Sequence, residues 1–257
     1  MRLPTALDKR NYHEYRDKSK QQGALLDGDS DEGGESAVFR IKICGIMRVE
    51  DAVASANAGA HAIGFNFYPP SPRHVTVGQA QEIAAEVPGE VARVGVFVNA
   101  SAEEMLETAR RVGLDFLQLH GDEPPELLAE LTEKGAQTIR AFRCGDDGLT
   151  PVLEYLERCK HLACLPRAVL LDAKVPGVYG GTGKVVDWNL LRPYTGWIMD
   201  CPILLAGGLT TENVKAAINT AHPWGVDTAS GVESSPGLKD IQRIQQFVAA
   251  ALQHYDD

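Results

Sequence analysis

Between residues 39 and 229 the chain repeats one pattern eight times: a short run of β-branched and aromatic residues, then a longer stretch with apolar residues at helical spacing. The runs are FRIKIC (39–44), HAIGF (61–65), VARVGVFV (91–98), DFLQLH (115–120), TIRAF (138–142), AVLLD (168–172), PILLAG (202–207) and GVDTA (225–229). Short runs of this composition, bounded by turn-forming residues, read as strands. Strands that alternate with helices pair in parallel, because a helix must carry the chain back to the starting edge. Eight such units predict a closed (β/α)8 barrel, the TIM barrel architecture. A doubly wound open sheet is the alternative; no GxGxxG opens the first βα turn, as that fold's dinucleotide-binding form requires.

The helical stretches carry their own punctuation. VEDAVASANAG places Glu50 and Asp51 in a first turn and ends at Gly59. SAEEMLETARRVG offers Ser101 as N-cap, Glu104 three residues on for a capping box, and Gly113 as a stop. EPPELLAELTEKG, TENVKAAINT and LKDIQRIQQFVAAALQ follow the same logic.

Residues 1–38 break the pattern. DKRNYHEYRDKSK is basic and polar, LLDGDSDEGGES is acidic and punctuated by glycine and serine, and neither buries enough apolar surface to offset the entropy of ordering. A flexible N-terminal extension is therefore expected over 1–38, with a short docking helix at 11–22 as the alternative, ahead of a catalytic barrel over 39–257.

The 257 residues carry a net charge of −10, which argues against nucleic acid or an anionic membrane as partner, since both select basic surfaces. No apolar run reaches the roughly 18 residues of a spanning helix, and the N-terminus lacks the apolar core of a secretory signal. Five cysteines, at 44, 144, 159, 164 and 201, form no CxxC pair. That usage fits a reducing compartment, so a cytoplasmic protein is expected.

In a barrel of this kind the C-terminal strand ends carry chemistry. Cys44, His120 and Asp172 end the first, fourth and sixth strands, while Asn66 and Asn99 follow the second and third. Glycine-rich turns follow the last two strands: AGGLTTENV, with Gly207 and Gly208, and SGVESSPG, with Ser230 and Gly231. Small residues there let backbone N–H groups approach an anion, and the turns after strands seven and eight are a recurrent phosphate site; either turn alone reads equally as a tight turn. PPSPRH puts Arg73 on a proline-stiffened loop, where a guanidinium can clamp a planar carboxylate. The glycine-rich stretch 174–188 has the length of a lid or of a merely mobile loop. Cys44 alone reads as a small buried hydrophobe, and becomes a candidate base at a barrel strand's end. Asp172 is either a structural carboxylate or an acid kept protonated by an apolar site. For His120 a structural role is expected over a titrating one.

KICGI, NFYPPSPRHV, GVFVN, LQLHGDE, LLDAK with GGTGK and DW, LLAGGLTTENV and SGVESSPGLKD follow one another in this order. The set resembles phosphoribosylanthranilate isomerases of tryptophan biosynthesis over about residues 39–254. The resemblance implies a (β/α)8 barrel with no metal and no organic cofactor. It implies an Amadori rearrangement of N-(5-phosphoribosyl)anthranilate, an anionic small-molecule substrate, by a monomer or homodimer. It further implies Cys44 as general base, Asp172 as general acid, Arg73 for the anthranilate carboxylate, the 207–208 and 230–231 turns for the phosphate, and Asp227 near the substrate. Val186 departs from the aromatic residue common before the DW of similar proteins, and Thr228 and Ala229 stand where they vary.

Two rivals remain at this stage. The related histidine-pathway isomerase performs the same rearrangement with two aspartates, so a cysteine at position 44 disfavours it. A silent phosphate-binding barrel has no need of Cys44, Asp172 and Arg73 together. One expectation comes from alternation: residues two apart share a strand face, so Lys42 points into the barrel with Cys44. A buried ammonium needs a partner, and Asp227 is the best candidate. Such a pair either favours the Cys44 thiolate or is purely structural.

Overall fold

The computed structural model describes residues 38–144, 148–173 and 188–255. Its eight barrel strands are β1 (Ile41–Cys44), β2 (Ala62–Asn66), β3 (Ala92–Phe97), β4 (Phe116–Leu119), β5 (Thr138–Cys144), β6 (Ala168–Ala173), β7 (Cys201–Leu205) and β8 (Gly225–Thr228). Every neighbouring pair is parallel, β6 pairs β7, and β1 pairs β8 in the register Lys42↔Asp227, so the sheet closes on itself. All eight sequence-derived strands are present, displaced by two residues or fewer at every end. Outside the barrel, Trp197–Ile198 pairs antiparallel with β7, and Glu233–Ser235 with Leu238–Lys239 forms a small hairpin in the turn after β8.

Seven helices surround the barrel among the described residues: α1 (Val49–Asn57), α2 (Val77–Ala85), α3 (Ala102–Val112), α4 (Pro125–Glu133), α5 (Thr150–His161), α6 (Val214–Ala221) and α7 (Ile241–Leu252). α3 begins where Ser101 accepts the Glu104 N–H and stops at Gly113, whose φ of 75° breaks the helix. The reciprocal capping box is found at α2 instead, between Thr76 and Gln79. Asp240 caps α7 by accepting from the N–H groups of Gln242 and Arg243. α2 and α5 were not among the sequence-derived helices. Between β6 and β7 the described chain forms two short 3-10 turns, Trp188–Leu190 and Arg192–Tyr194. The stretches for which an extension and a lid were expected fall almost entirely on residues 1–37 and 174–187, outside the described residues, as does Val186.

Strand alternation divides the core in two. Ile41, Ile43, Ile63, Phe65 and Val226 face outward and pack with Ile244, Phe247 and Val248 of α7, all at or near complete burial. Burying each such side chain contributes roughly 1.5–3 kcal/mol. Inward-facing Phe39, Ala62, Val94, Phe116 and Leu204 fill the N-terminal half of the barrel, with Phe39 and Phe116 in edge contact at 5.7 Å between ring centres. The floor is thus apolar and closed. The same inward rows end at the other rim in polar residues, and there a cavity opens.

Candidate active site

The cavity occupies the C-terminal mouth of the barrel and has a volume of about 290 Å³. Its lining is what period-two alternation delivers: Cys44 two residues beyond Lys42, His120 two beyond Gln118, Asp172 two beyond Leu170. Asn66, Arg73, Gly207, Gly208, Asp227 and Ser230 line it too. Of the sequence-derived candidates, Gly231 is not itself part of the lining but packs against Leu209, which is. Asn99 serves the loop after β4, its Oδ1 accepting the Asp122 N–H at 2.8 Å.

Lys42 is fully buried inside the barrel, and its Nζ donates to Asp227 Oδ1 at 2.7 Å. Burial works against the ammonium, but the Asp227 carboxylate and the neighbouring Cys44 sulfur together outweigh it and hold the Lys42 pKa above its ordinary value. The alternation argument thus placed both residues correctly. Cys44 stands next on the same inward face. Burial pushes its thiol pKa up; Lys42 and Lys239 pull it down, Asp227 pushes it further up, and the net is raised. Gly64 makes room for the sulfur, since a Cβ there would lie 2.8 Å from Sγ.

Across the mouth, His120 Nε2 lies 3.5 Å from Asp172 Oδ2. The Gln118 amide Nε2 lies 3.0 Å from His120 Nδ1. His120 thus lines the cavity beside Asp172. Arg143, at the end of β5 and on the inward row, also lines the mouth and donates to the His120 carbonyl at 3.2 Å.

Arg73 is not a guanidinium waiting in solvent. Its Nε and Nη2 donate to Glu233 Oε1 and Oε2, both at 2.7 Å, and Glu233 Oε1 also accepts from Lys239 Nζ at 2.8 Å. Glu233 is buried; desolvation disfavours its charge, but the two cations outweigh that and hold its pKa below the ordinary value. Sequence reading passed over Glu233 and Lys239, although their positions in the turn after β8 are the available signal.

The two glycine turns touch. Gly207 and Gly208 adopt φ of 84° and 69°, which suits glycine, and the Thr228 hydroxyl donates to the Leu209 carbonyl at 2.7 Å. At Gly231 a Cβ would meet the Leu209 oxygen at 1.8 Å. Only glycine lets the turns close against one another.

Among the described residues no group of three His, Cys, Asp or Glu side chains is arranged to hold a metal. All five cysteines are free thiols. No helix of the described residues is long and apolar enough to cross a membrane.

Comparison with known proteins agrees with this architecture. The profile of the N-(5'-phosphoribosyl)anthranilate (PRA) isomerase family matches residues 41–250. The N-(5'-phosphoribosyl)anthranilate isomerase of Rubrobacter xylanophilus is 47% identical over 212 residues, which is 82% of this chain and 98% of the relative. That of Pseudomonas putida KT2440 is 47% identical over 214 residues, 83% of this chain and 98% of the relative. The crystal structure of the Thermotoga maritima phosphoribosyl anthranilate isomerase superposes with a TM-score of 0.74 at 41% identity, covering 84% of this chain and all of that one. A phosphoribosyl anthranilate isomerase in complex with reduced 1-(o-carboxyphenylamino)-1-deoxyribulose 5-phosphate superposes at 0.71 with 38% identity and the same coverage. With the barrel, its mouth and these relatives in agreement, the chain belongs to the N-(5'-phosphoribosyl)anthranilate isomerase family.

Proposed function

We propose that this isomerase converts N-(5-phosphoribosyl)anthranilate to 1-(2-carboxyphenylamino)-1-deoxyribulose 5-phosphate, a step of tryptophan biosynthesis, with Asp172 as general acid and Cys44 as general base. The observation that carries the assignment is their placement: both line one cavity, on strands three steps apart around the closed ring of eight.

Asp172 delivers a proton to the furanose ring oxygen. The C1–O bond breaks as the anthranilate nitrogen lone pair forms the C=N bond of a Schiff base. The Cys44 thiolate then takes the proton from C2, the electrons neutralise the iminium, and the resulting enolamine tautomerises to the ketone. A thiol suits this step because its ordinary pKa lies within reach of working pH and only the thiolate is basic. Arg73 takes the anthranilate carboxylate, Asp227 stands near the sugar, and the turns holding Gly207, Gly208, Ser230 and Gly231 take the phosphate.

Turnover of freshly generated N-(5-phosphoribosyl)anthranilate, followed by loss of its fluorescence, tests the assignment. Wild type is expected to turn over, while Cys44→Ala and Asp172→Asn each lose at least about a hundredfold in kcat, the usual contribution of a positioned acid or base. Full activity in either variant removes that residue from its role.

A further inference from the structure

Arg73 and the phosphate turn are connected through one side chain. Glu233 follows Gly231 by two residues, so its backbone is set by the same close packing on Leu209 that seats the phosphate turn. Its carboxylate reaches across to the loop between β2 and α2 and binds the side-on edge of Arg73 at 2.7 Å through each oxygen. A guanidinium offers five N–H donors, and side-on pairing uses only the Nε–H and one Nη2–H. The end-on edge, formed by Nη1 and the second Nη2 proton, remains able to hold a second carboxylate bidentately. No hydrogen bond among the described residues uses Arg73 Nη1.

We propose that Glu233 is a positioning residue that locks Arg73 side-on, presents its end-on edge to the substrate's ring carboxylate, and thereby makes the turn after β8 a strut of fixed length between the two anionic ends of the substrate. The proposal rests on the reading of Arg73 and the phosphate turn given above. Lys239 completes the lock from behind: its Nζ binds Glu233 Oε1 at 2.8 Å and the Ala229 carbonyl at 2.9 Å, so the carboxylate cannot swing away with Arg73. Arg243 fixes the Glu233 backbone by donating to its carbonyl. The loop between β2 and α2 contributes the complementary constraint. Arg73 N–H donates to Ser71 Oγ, and the arginine stem lies where a Gly45 Cβ would stand only 2.5 Å from Cδ.

A strut makes a demand that a merely structural ion pair does not: its loss must weaken recognition of the ring carboxylate selectively. The measurement compares three ligands by direct titration: the reduced product, the same compound lacking the ring carboxylate, and inorganic phosphate. Wild type is expected to prefer the carboxylated compound by at least about tenfold, the scale of one charge-assisted pair. In Glu233→Gln that preference should fall towards one, while affinity for the decarboxylated compound and for phosphate holds. Because Glu233→Gln leaves the Lys239 ammonium buried beside an amide, the double variant Glu233→Gln with Lys239→Met is measured in parallel and should behave alike. A retained preference in the folded variants, or equal loss for all three ligands, overturns the strut. Absence of turnover and of any carboxylate preference in wild type overturns instead the functional reading beneath it.

Discussion

Cys44 is placed in an environment that resists its ionisation, and Lys42 is the largest influence in the other direction. Burial dominates and leaves the thiol pKa raised, whereas Lys42 keeps its charge through Asp227 at 2.7 Å. If Lys42 acts on the thiolate, Lys42→Met moves the ascending limb of kcat/KM against pH to higher pH and lowers kcat/KM by about tenfold at neutral pH, as loss of a close opposite charge does. The pH profile measured with variant beside wild type checks this, and an unmoved limb leaves Lys42 a purely structural partner. Alternation along IKIC made this pair legible in the sequence, because only the inward face offered Lys42 a carboxylate. The Arg73–Glu233 pair was not legible in that way. Its partners are 160 residues apart on two loops, where no periodicity predicts orientation.

The two glycine turns and the strands before them behave as one element. A Cβ at Gly231 has nowhere to go, with the Leu209 oxygen at 1.8 Å. Gly231→Ala therefore forces the turns after β7 and β8 apart and is expected to weaken inorganic phosphate binding by at least about tenfold, since displacement by an ångström costs positioned contacts heavily. Phosphate titration of the folded variant decides, and wild-type affinity removes these turns from the phosphate site. At this scale the sequence was most readable, because each strand keeps its own short run of apolar residues between turn signals. The hairpin Glu233–Ser235 with Leu238–Lys239 escaped notice because SSPG reads only as a turn, and its pairing depends on Glu233 and Lys239 meeting in space.

Across the whole molecule, a few ionised side chains buried in an otherwise apolar barrel tie stability to pH. Glu233 has its pKa lowered from an ordinary 4.5. A carboxyl depressed by folding stabilises the native state fully above its unfolded pKa and loses that contribution as pH falls through the folded one. Wild type should therefore lose thermal stability increasingly below about pH 4.5, the model-peptide range for this side chain. Glu233→Gln, less stable at neutral pH, should show a shallower acid slope in Tm; parallel slopes would place the acid sensitivity elsewhere. Closure of the ring has a consequence of another kind, felt during synthesis. Lys42 leaves the ribosome 185 residues ahead of its counter-charge, which the last barrel strand supplies. Until that strand arrives, the first strand carries an ammonium that no finished core will accept. A chain broken off before position 227 thus cannot complete its barrel, so the first strand is of no use until the last has joined it.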